Sequence, residues 1–193
     1  MTTSDSLAAH TEPPRRPRRG AMFILVVGLA ATAGLIAVLA VAETANPHQT
    51  TSPLVGKPAP NIAGPGINAG PQDLSRLAGK WVLVNFFASW CIPCRQEMPE
   101  LNRFQTEHTP NGDAQVLGVE YDQRDLAAAG GFLRQYHVTF PVVNDPSADV
   151  SYGISGIPET YLVDPAGTVV AKYFGPITSA EIDAQITKLE ARR

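Results

Sequence analysis

Two cysteines, Cys91 and Cys94, are the only cysteines in this chain of 193 residues. They stand two residues apart in the stretch FFASWCIPCRQEMPEL, residues 86–101. A cysteine pair with this spacing can bind a metal ion, form a structural disulfide, or exchange electrons with another disulfide. The remaining residues decide between these three chemistries.

A metal site and a structural disulfide both find little support. A disulfide stabilises mainly by closing a long loop of the unfolded chain, and a ring of four residues closes very little. Zinc usually takes two such cysteine pairs, or one pair with two histidines. The four histidines show no such spacing: His10, His48, His108 and His137. A copper site retains His137 as its one candidate ligand, so we expect neither a metal nor another cofactor.

Redox exchange accounts for more of the local sequence. The run KWVLVNFFASW over 80–90 is apolar enough for a buried strand, and a helix with Pro93 in its first turn is predicted after it. Cys91 is then at the helix N-terminus, where unpaired N–H groups stabilise a thiolate. We therefore expect an uncovered Cys91 as the nucleophile, with Cys94 one turn later as the residue that expels the substrate.

The elements around this pair predict an α/β fold. Buried strands are predicted over 115–122, 140–145, 159–164 and 168–174, and a helix over 124–138. The sequence DPAG over 164–167 predicts a tight turn, and Thr178 with Glu181 predicts a capping box before a C-terminal helix. The order β-α-β-α, hairpin, α gives a mixed sheet with helices on both faces.

The N-terminal part predicts export across a membrane. Residues 21–42 carry no charge, and a helix of about 20 apolar residues can cross the hydrocarbon core. Four arginines precede this segment and only Glu43 follows it, which favours a cytoplasmic N-terminus. A cleaved signal peptide is the alternative, since an Ala-x-Ala site allows cleavage after Ala42 and a secreted form.

Four regions follow from this pattern. We predict a disordered cytoplasmic tail over 1–20, a transmembrane anchor over 21–42, a flexible linker over 43–56 and a globular domain over 57–193. The net charge is −3, and no basic stripe interleaved with aromatic residues is present. Nucleic acid is therefore not an expected partner.

The motif WCxPC after VLVNFF, with Pro99 five residues beyond the second cysteine, resembles the thioredoxin fold. The segment GIPETYLVDPAGTVV over 156–170 and the apolar N-terminal segment narrow the resemblance. They are similar to the membrane-anchored thiol–disulfide oxidoreductases of the TlpA/ResA/DsbE type, linked to cytochrome c maturation. The resemblance covers about residues 54–193.

This resemblance implies roles for several residues. Pro158 is expected in a cis peptide bond that leaves the backbone of Ile157 free to pair with an extended client segment. Trp90 is expected to shield the cysteines, and Glu159 to contact the substrate or the active site. An ordinary turn proline and a surface glutamate are the alternatives at 158 and 159.

Glu97 is the residue expected to handle a proton. It follows Cys94 by three positions, so both side chains project from one helix face. A partly buried carboxylate there has a raised pKa and can exchange a proton with Cys94, whereas a solvated glutamate cannot. Asn85 stands where thioredoxins carry a buried aspartate, which moves the acid–base role towards Glu97. His137 is expected to end its helix in a left-handed conformation.

The implied function is the reduction of disulfides in client proteins such as apocytochrome c. A membrane-embedded dithiol carrier would re-reduce the enzyme. The alternative within the same chemistry is an anchored oxidant for secreted proteins. Outside it, a metallochaperone or a redox-silent binding module stays open.

Overall fold

The computed structural model describes residues 19–42, 47–122 and 124–192. The chain divides into two compact units, Met1–Ala45 and Asn46–Arg193. The predicted tail over 1–20 lies outside the described residues except for its last two positions, and so do residues 43–46 of the predicted linker.

The first unit contributes one helix, α1, over Arg19–Ala42. Among the residues that the structure describes, no helix combines the length and the apolar character needed to cross a membrane. The anchor over 21–42 stays a prediction.

The second unit is an α/β domain. Its strands are β1 (Gln49–Thr50), β2 (Ala63–Gly64), β3 (Gln72–Asp73), β4 (Trp81–Phe87), β5 (Ala114–Glu120), β6 (Val142–Val143), β7 (Glu159–Val163) and β8 (Val169–Phe174). Its helices are α2 (Ile92–His108), α3 (Leu126–Gln135), α4 (Ala148–Tyr152) and α5 (Ser179–Glu190), with a short 3-10 helix at Leu74–Leu77.

Six strands form one sheet in the order β1-β8-β7-β4-β5-β6, and β2 pairs with β3 separately. The central strand β4 runs parallel to β5 and antiparallel to β7. All seven residues of β4 are buried, as expected for a strand covered on both faces. The predicted mixed sheet is therefore confirmed, whereas α4, β2, β3 and the 3-10 helix were not predicted.

The two faces of the sheet carry separate apolar clusters. Because strand side chains alternate between faces, Leu83 and Phe87 of β4 point to one cluster and Val84 and Phe86 to the other. The first cluster contains both cysteines, and we call it the cysteine-side cluster. By the same alternation Asn85 faces the cysteine side, which places a polar group beneath helix α2.

Three local features that the sequence predicts are present: a helix start, a tight turn and a helix end. Thr178 and Glu181 form a reciprocal capping box at the start of α5. Gly167 closes the turn before β8 with a φ of 83°, a conformation that glycine adopts without strain. His137 follows α3 with a φ of 50°, so its predicted left-handed conformation is confirmed.

The prediction of a flexible linker over 43–56 is wrong for its described C-terminal part. Gln49 and Thr50 pair with Tyr173 and Lys172 of β8, and the Gly56 N–H donates to the Val169 carbonyl at 2.8 Å. This pairing covers what would otherwise be an open sheet edge. The ordered domain therefore begins before residue 57. A two-residue edge strand is held mainly by backbone hydrogen bonds. Its side chains are polar, so the sequence showed no apolar pattern that would predict a strand.

Candidate active site

The cysteine pair lies where β4 gives way to α2, as the sequence predicts. Cys91 is the N-cap residue of α2, and Pro93 occupies the first turn. Cys91 and Cys94 are joined by a disulfide, and the Cys94 N–H donates to the Cys91 sulfur at 3.2 Å. The helix N-terminus thus directs a backbone donor at the sulfur that would carry the charge of a thiolate.

The expected uncovered position of Cys91 is not what the structure has. Cys91 is only 4% exposed and Cys94 is fully buried. In the disulfide form, the Cys91 sulfur is bonded to Cys94 and lies 3.8 Å from the Ile157 carbonyl oxygen, so neighbouring atoms cover it. Cys91 is nevertheless the more accessible of the two residues, so we expect an incoming thiol to meet it first.

The surface beside the disulfide is apolar and aromatic. Trp90 is 55% exposed and Ile92 is 67% exposed. The Trp90 indole N–H donates to Asp122 Oδ2 at 3.0 Å, and Asp122 also accepts from Arg124 Nε at 3.0 Å. These contacts hold the ring against the loop after β5, next to a groove of about 300 Å³ that includes Tyr121.

The loop before β7 closes the other side of the site. The Ile157–Pro158 peptide bond is cis, as predicted. Within the described part of the chain, neither the N–H nor the carbonyl of Ile157 is paired with another backbone group. A free peptide edge therefore lies against the Cys91 sulfur.

Glu159 does not face this surface, contrary to the expected contact with substrate. It is fully buried, and its Oε1 accepts from the Ser155 N–H, the Ser155 hydroxyl and the Gly156 N–H at 2.7 to 3.2 Å. Its Oε2 lies 2.8 Å from Lys172 Nζ. Glu159 therefore acts on the loop that leads into the cis bond, because its carboxylate fixes the two residues before Ile157.

Lys172 remains positively charged in this buried pair. Burial by itself lowers the pKa of Lys172, but the hydrogen bond to Glu159 and the nearby Tyr161 hold that pKa above its ordinary value. The ammonium also lies 5.4 Å from the centre of the Tyr161 ring.

Glu97 is fully buried beneath the cysteine turn. Its Oε2 accepts from Asn85 Nδ2 at 2.9 Å, and its Oε1 accepts from the Ile177 N–H at 3.2 Å. Burial raises the pKa of Glu97 to about 8, although both hydrogen bonds act to lower it. The predicted burial of Glu97 and the predicted direction of its pKa shift are confirmed.

A second buried carboxyl belongs to Glu120, the last residue of β5, which was not predicted from the sequence. It is 1% exposed and shares the cysteine-side face with Val116, because alternate strand residues face the same way. Burial raises its pKa to about 8. Its Oε1 accepts from the Asp122 N–H at 3.2 Å, while its Oε2 meets no donor among the described residues. The sequence sign of its burial was the position of Glu120 at the end of the apolar run VLGVE.

The structure thus brings Cys91 and the Ile157–Pro158 bond together just below the surface beside the exposed Trp90, with Cys94 and Glu97 fully buried. In the described part of the chain, no three side chains of the His, Cys, Asp or Glu type are arranged to hold a metal ion. The arrangement can exchange one disulfide for another through its cysteines.

Residues 55–172 match the AhpC/TSA family, and this range includes both cysteines and the cis-proline. The chain is 38% identical over 153 residues to the thiol:disulfide interchange protein DsbE of Allochromatium vinosum, covering 76% of this chain and 81% of that protein. It is 31% identical over 137 residues to the thiol-disulfide oxidoreductase ResA of Bacillus anthracis, covering 70% and 78%.

The fold agrees with these similarities. The thioredoxin domain of a thiol-disulfide oxidoreductase from Bacteroides vulgatus superposes with a TM-score of 0.61 at 29% identity, covering 72% of this chain and 99% of that one. The predicted thioredoxin fold and thiol–disulfide oxidoreductase activity are confirmed. The chain therefore belongs to the AhpC/TSA family, in which it is a thioredoxin-like thiol–disulfide oxidoreductase of the kind that ResA and DsbE represent.

Proposed function

We propose that this oxidoreductase reduces disulfides of exported client proteins, apocytochrome c among them. The reduced enzyme attacks a client disulfide with the Cys91 thiolate, which forms a mixed disulfide and releases one client thiolate. Cys94 then attacks the Cys91 sulfur, and the second client sulfur leaves as a thiolate. The client disulfide is thereby reduced, and the enzyme is oxidised to the Cys91–Cys94 disulfide. The observation that carries this assignment is the Cys94 N–H directed at the Cys91 sulfur from the N-terminus of α2.

Glu97 acts as the proton acceptor and donor for Cys94. As a carboxylate it takes the proton from the Cys94 thiol when that sulfur attacks, and it then holds the proton in the oxidised enzyme. Its pKa of about 8 is consistent with a neutral acid in that state. When a dithiol carrier re-reduces the enzyme, Glu97 returns the proton to the departing Cys94 sulfur.

The client is held by its backbone. The unpaired Ile157 peptide suits an extended segment that adds as a short strand beside the disulfide. Trp90 and Ile92 offer apolar surface to the side chains that flank the client cysteine. Pro158 contributes by fixing the direction of the Ile157 peptide.

The enzyme works outside the cytoplasmic membrane, anchored by residues 21–42, and a membrane-embedded dithiol carrier re-reduces it. The absence of charge in this segment and the arginines before it support this location. Carbonate extraction of membranes tests the anchor: an anchored chain stays in the pellet, and release into the supernatant indicates cleavage after Ala42. Protease added outside spheroplasts should digest the domain.

Trapping identifies the client. The full-length Cys94→Ser variant should accumulate a mixed disulfide through Cys91, and mass spectrometry of the captured protein names the partner. The matched variant Cys91→Ser should capture none. A captured apocytochrome c supports the proposal, whereas capture confined to other proteins excludes that client.

The reduction potential decides the direction of electron flow. A potential near that of thioredoxin, about −270 mV, supports a reductant. A potential near about −120 mV would assign the enzyme to disulfide formation in secreted proteins.

A further inference from the structure

The side-chain amide of Asn85 connects three elements beneath the cysteine turn. It is fully buried in the middle of β4. One of its Nδ2 hydrogens is directed to Glu97 Oε2 on α2 and the other to Thr160 Oγ1 on β7, both at 2.9 Å. Its Oδ1 meets no donor among the described residues. A buried carbonyl without a donor costs free energy, so this arrangement needs an explanation.

A carboxyl that gains and loses a proton needs two different partners. The carboxylate accepts hydrogen bonds only, so it requires an N–H, whereas the neutral acid also donates one and requires an acceptor. A primary amide carries both, and a half-turn about its terminal bond exchanges them. The hydroxyl of Thr160 can accept from the N–H end or donate to the carbonyl end, so it suits either orientation.

The surroundings do not fix the orientation of this amide. The orientation seen is the one that suits the Glu97 carboxylate, and in it the carbonyl end of Asn85 is unpaired. After a half-turn the carbonyl would accept from a protonated Glu97 and from Thr160, and the N–H end would be unpaired instead. Because either orientation leaves one end without a partner, the proton on Glu97 can decide between them.

We propose that Asn85 is the positioning residue for Glu97, donating to its carboxylate and turning over to accept from its acid form. The proposal rests on the proton-carrying role of Glu97 stated above. It explains how Glu97 can change its protonation state without leaving the Ile177 N–H on its other oxygen.

The groups around Glu97 leave this task to Asn85. From β4 and β7 the facing side chains are Asn85 and Thr160, which carry no charge. The segment before α5 contributes the Ile177 peptide. On α2 itself, Cys94 is bound in the disulfide, and Glu100 is directed to the Ser179 N–H and to Arg103. Glu159, the neighbour of Thr160, is committed to its own loop and to Lys172.

Infrared spectroscopy of the full-length oxidised protein can follow both side chains. The carbonyl band of protonated Glu97, identified by its loss in Glu97→Gln, should disappear with a midpoint near pH 8. With asparagine labelled by ¹³C in its side chain, a difference band absent from Asn85→Leu should appear through the same midpoint. If Glu97 titrates while the Asn85 band stays constant, the amide does not turn and the proposal fails.

Two substitutions test the donor itself. Asn85→Leu and Asn85→Ala each remove both amide ends without adding a group that titrates. Each should raise the midpoint of Glu97 by about one pH unit, a tenfold gain in proton affinity, because the lost hydrogen bond to the charged carboxylate is stronger than the lost one to the neutral acid. Asn111→Leu, at an exposed asparagine, should leave the midpoint unchanged. An unchanged midpoint in Asn85→Ala overturns the proposal even if Asn85→Leu does not fold.

The pH profile of disulfide exchange distinguishes the role of Asn85 from the proton-carrying role of Glu97. Glu97→Gln should remove the limb of the profile that belongs to Glu97, and Asn85→Ala should then have no further effect on the profile. If Glu97→Gln leaves the wild-type profile intact, the proton role of Glu97 fails. If Glu97→Gln alters the profile but Asn85→Ala does not shift it in the wild-type background, only the role of Asn85 fails.

Discussion

Lys172 Nζ lies 2.8 Å from Glu159 Oε2, and both residues are buried beside the cis-proline loop. The other oxygen of Glu159 accepts three hydrogen bonds from Ser155 and Gly156. One buried ion pair therefore fixes the segment that presents Ile157 to the disulfide. Its removal should affect both stability and catalysis.

Lys172→Met leaves the Glu159 carboxylate buried without its counter-charge. We expect the free energy of unfolding to fall by about 3–5 kcal/mol and disulfide exchange to slow, because the 155–158 loop loses its anchor. Urea denaturation measures the first effect. The double variant Lys172→Met with Glu159→Gln should recover part of the lost stability, and Lys188→Met, at an exposed lysine, should lose little. Equal losses in both lysine variants would contradict this account.

Glu120→Gln should flatten the dependence of stability on pH. The folded pKa of Glu120 is about 8 against an ordinary value of 4.5, so between these values the folded protein binds more protons than the unfolded chain. The free energy of unfolding contributed by this group therefore falls as pH rises through that window, by up to about 1.4 kcal/mol per pH unit.

The measurement is a series of denaturation curves at several pH values. The pKa of Glu97 is raised as well, so the Glu120→Gln variant should keep the part of the pH dependence that comes from Glu97. The double variant with Glu97→Gln should lose most of the remaining slope. A slope unaffected by Glu120→Gln would show that Glu120 is solvated in solution.

His108 connects α2 to α5, and here the fold stabilises the charged form of the side chain rather than the neutral form. Burial lowers its pKa, but hydrogen bonds from Nε2 to Asp183 at 2.9 Å and from Nδ1 to Asp113 at 3.1 Å raise it overall above its ordinary value of 6.5. Its stabilising contribution is complete below that value and is lost as pH rises through the folded pKa. His108→Gln should therefore cost about 1 kcal/mol near pH 5.5 and much less above pH 8. Thermal unfolding at the two pH values tests this, and an equal loss at both would refute it.

Asp122→Ala removes the acceptor of the Trp90 indole N–H. We expect the ring to become mobile, and KM for protein clients to rise a few-fold with little change in kcat, because the proposed role of Trp90 is to contact the client and not the reacting sulfurs. The chain has only two tryptophans, so fluorescence anisotropy in a Trp81→Phe background reports Trp90 alone. Asp122→Asn keeps an acceptor oxygen and should behave like wild type, whereas identical behaviour of both variants would show that the hydrogen bond is unimportant.

The parts of the site that the sequence predicted depend on local chemistry. A proline two residues after Cys91 predicts the helix start, and the motif around Pro158 predicts the cis bond. The three-residue spacing of Cys94 and Glu97 predicts a common helix face, and both are buried. Each of these follows from a few adjacent residues and one family pattern.

The parts that it could not predict depend on contacts between distant segments. Glu159 turns inwards because Lys172, thirteen positions later, meets it across the β7–β8 hairpin. Cys91 is covered because Ile157, sixty-six positions away, lies against its sulfur. Glu120 is buried at the end of β5, where Phe87 of β4 pairs with it, and its own sequence context gives only a weak sign of this.

The contact between the Ile157 carbonyl and the Cys91 sulfur has a consequence for selectivity. The Ile157 peptide group covers the disulfide and is also the group available to pair with a partner's backbone. In the proposed mechanism, a client segment that pairs with this peptide also uncovers the Cys91 sulfur. We therefore expect disulfides within extended, unfolded segments to react faster than small soluble disulfides, which cannot form this pairing.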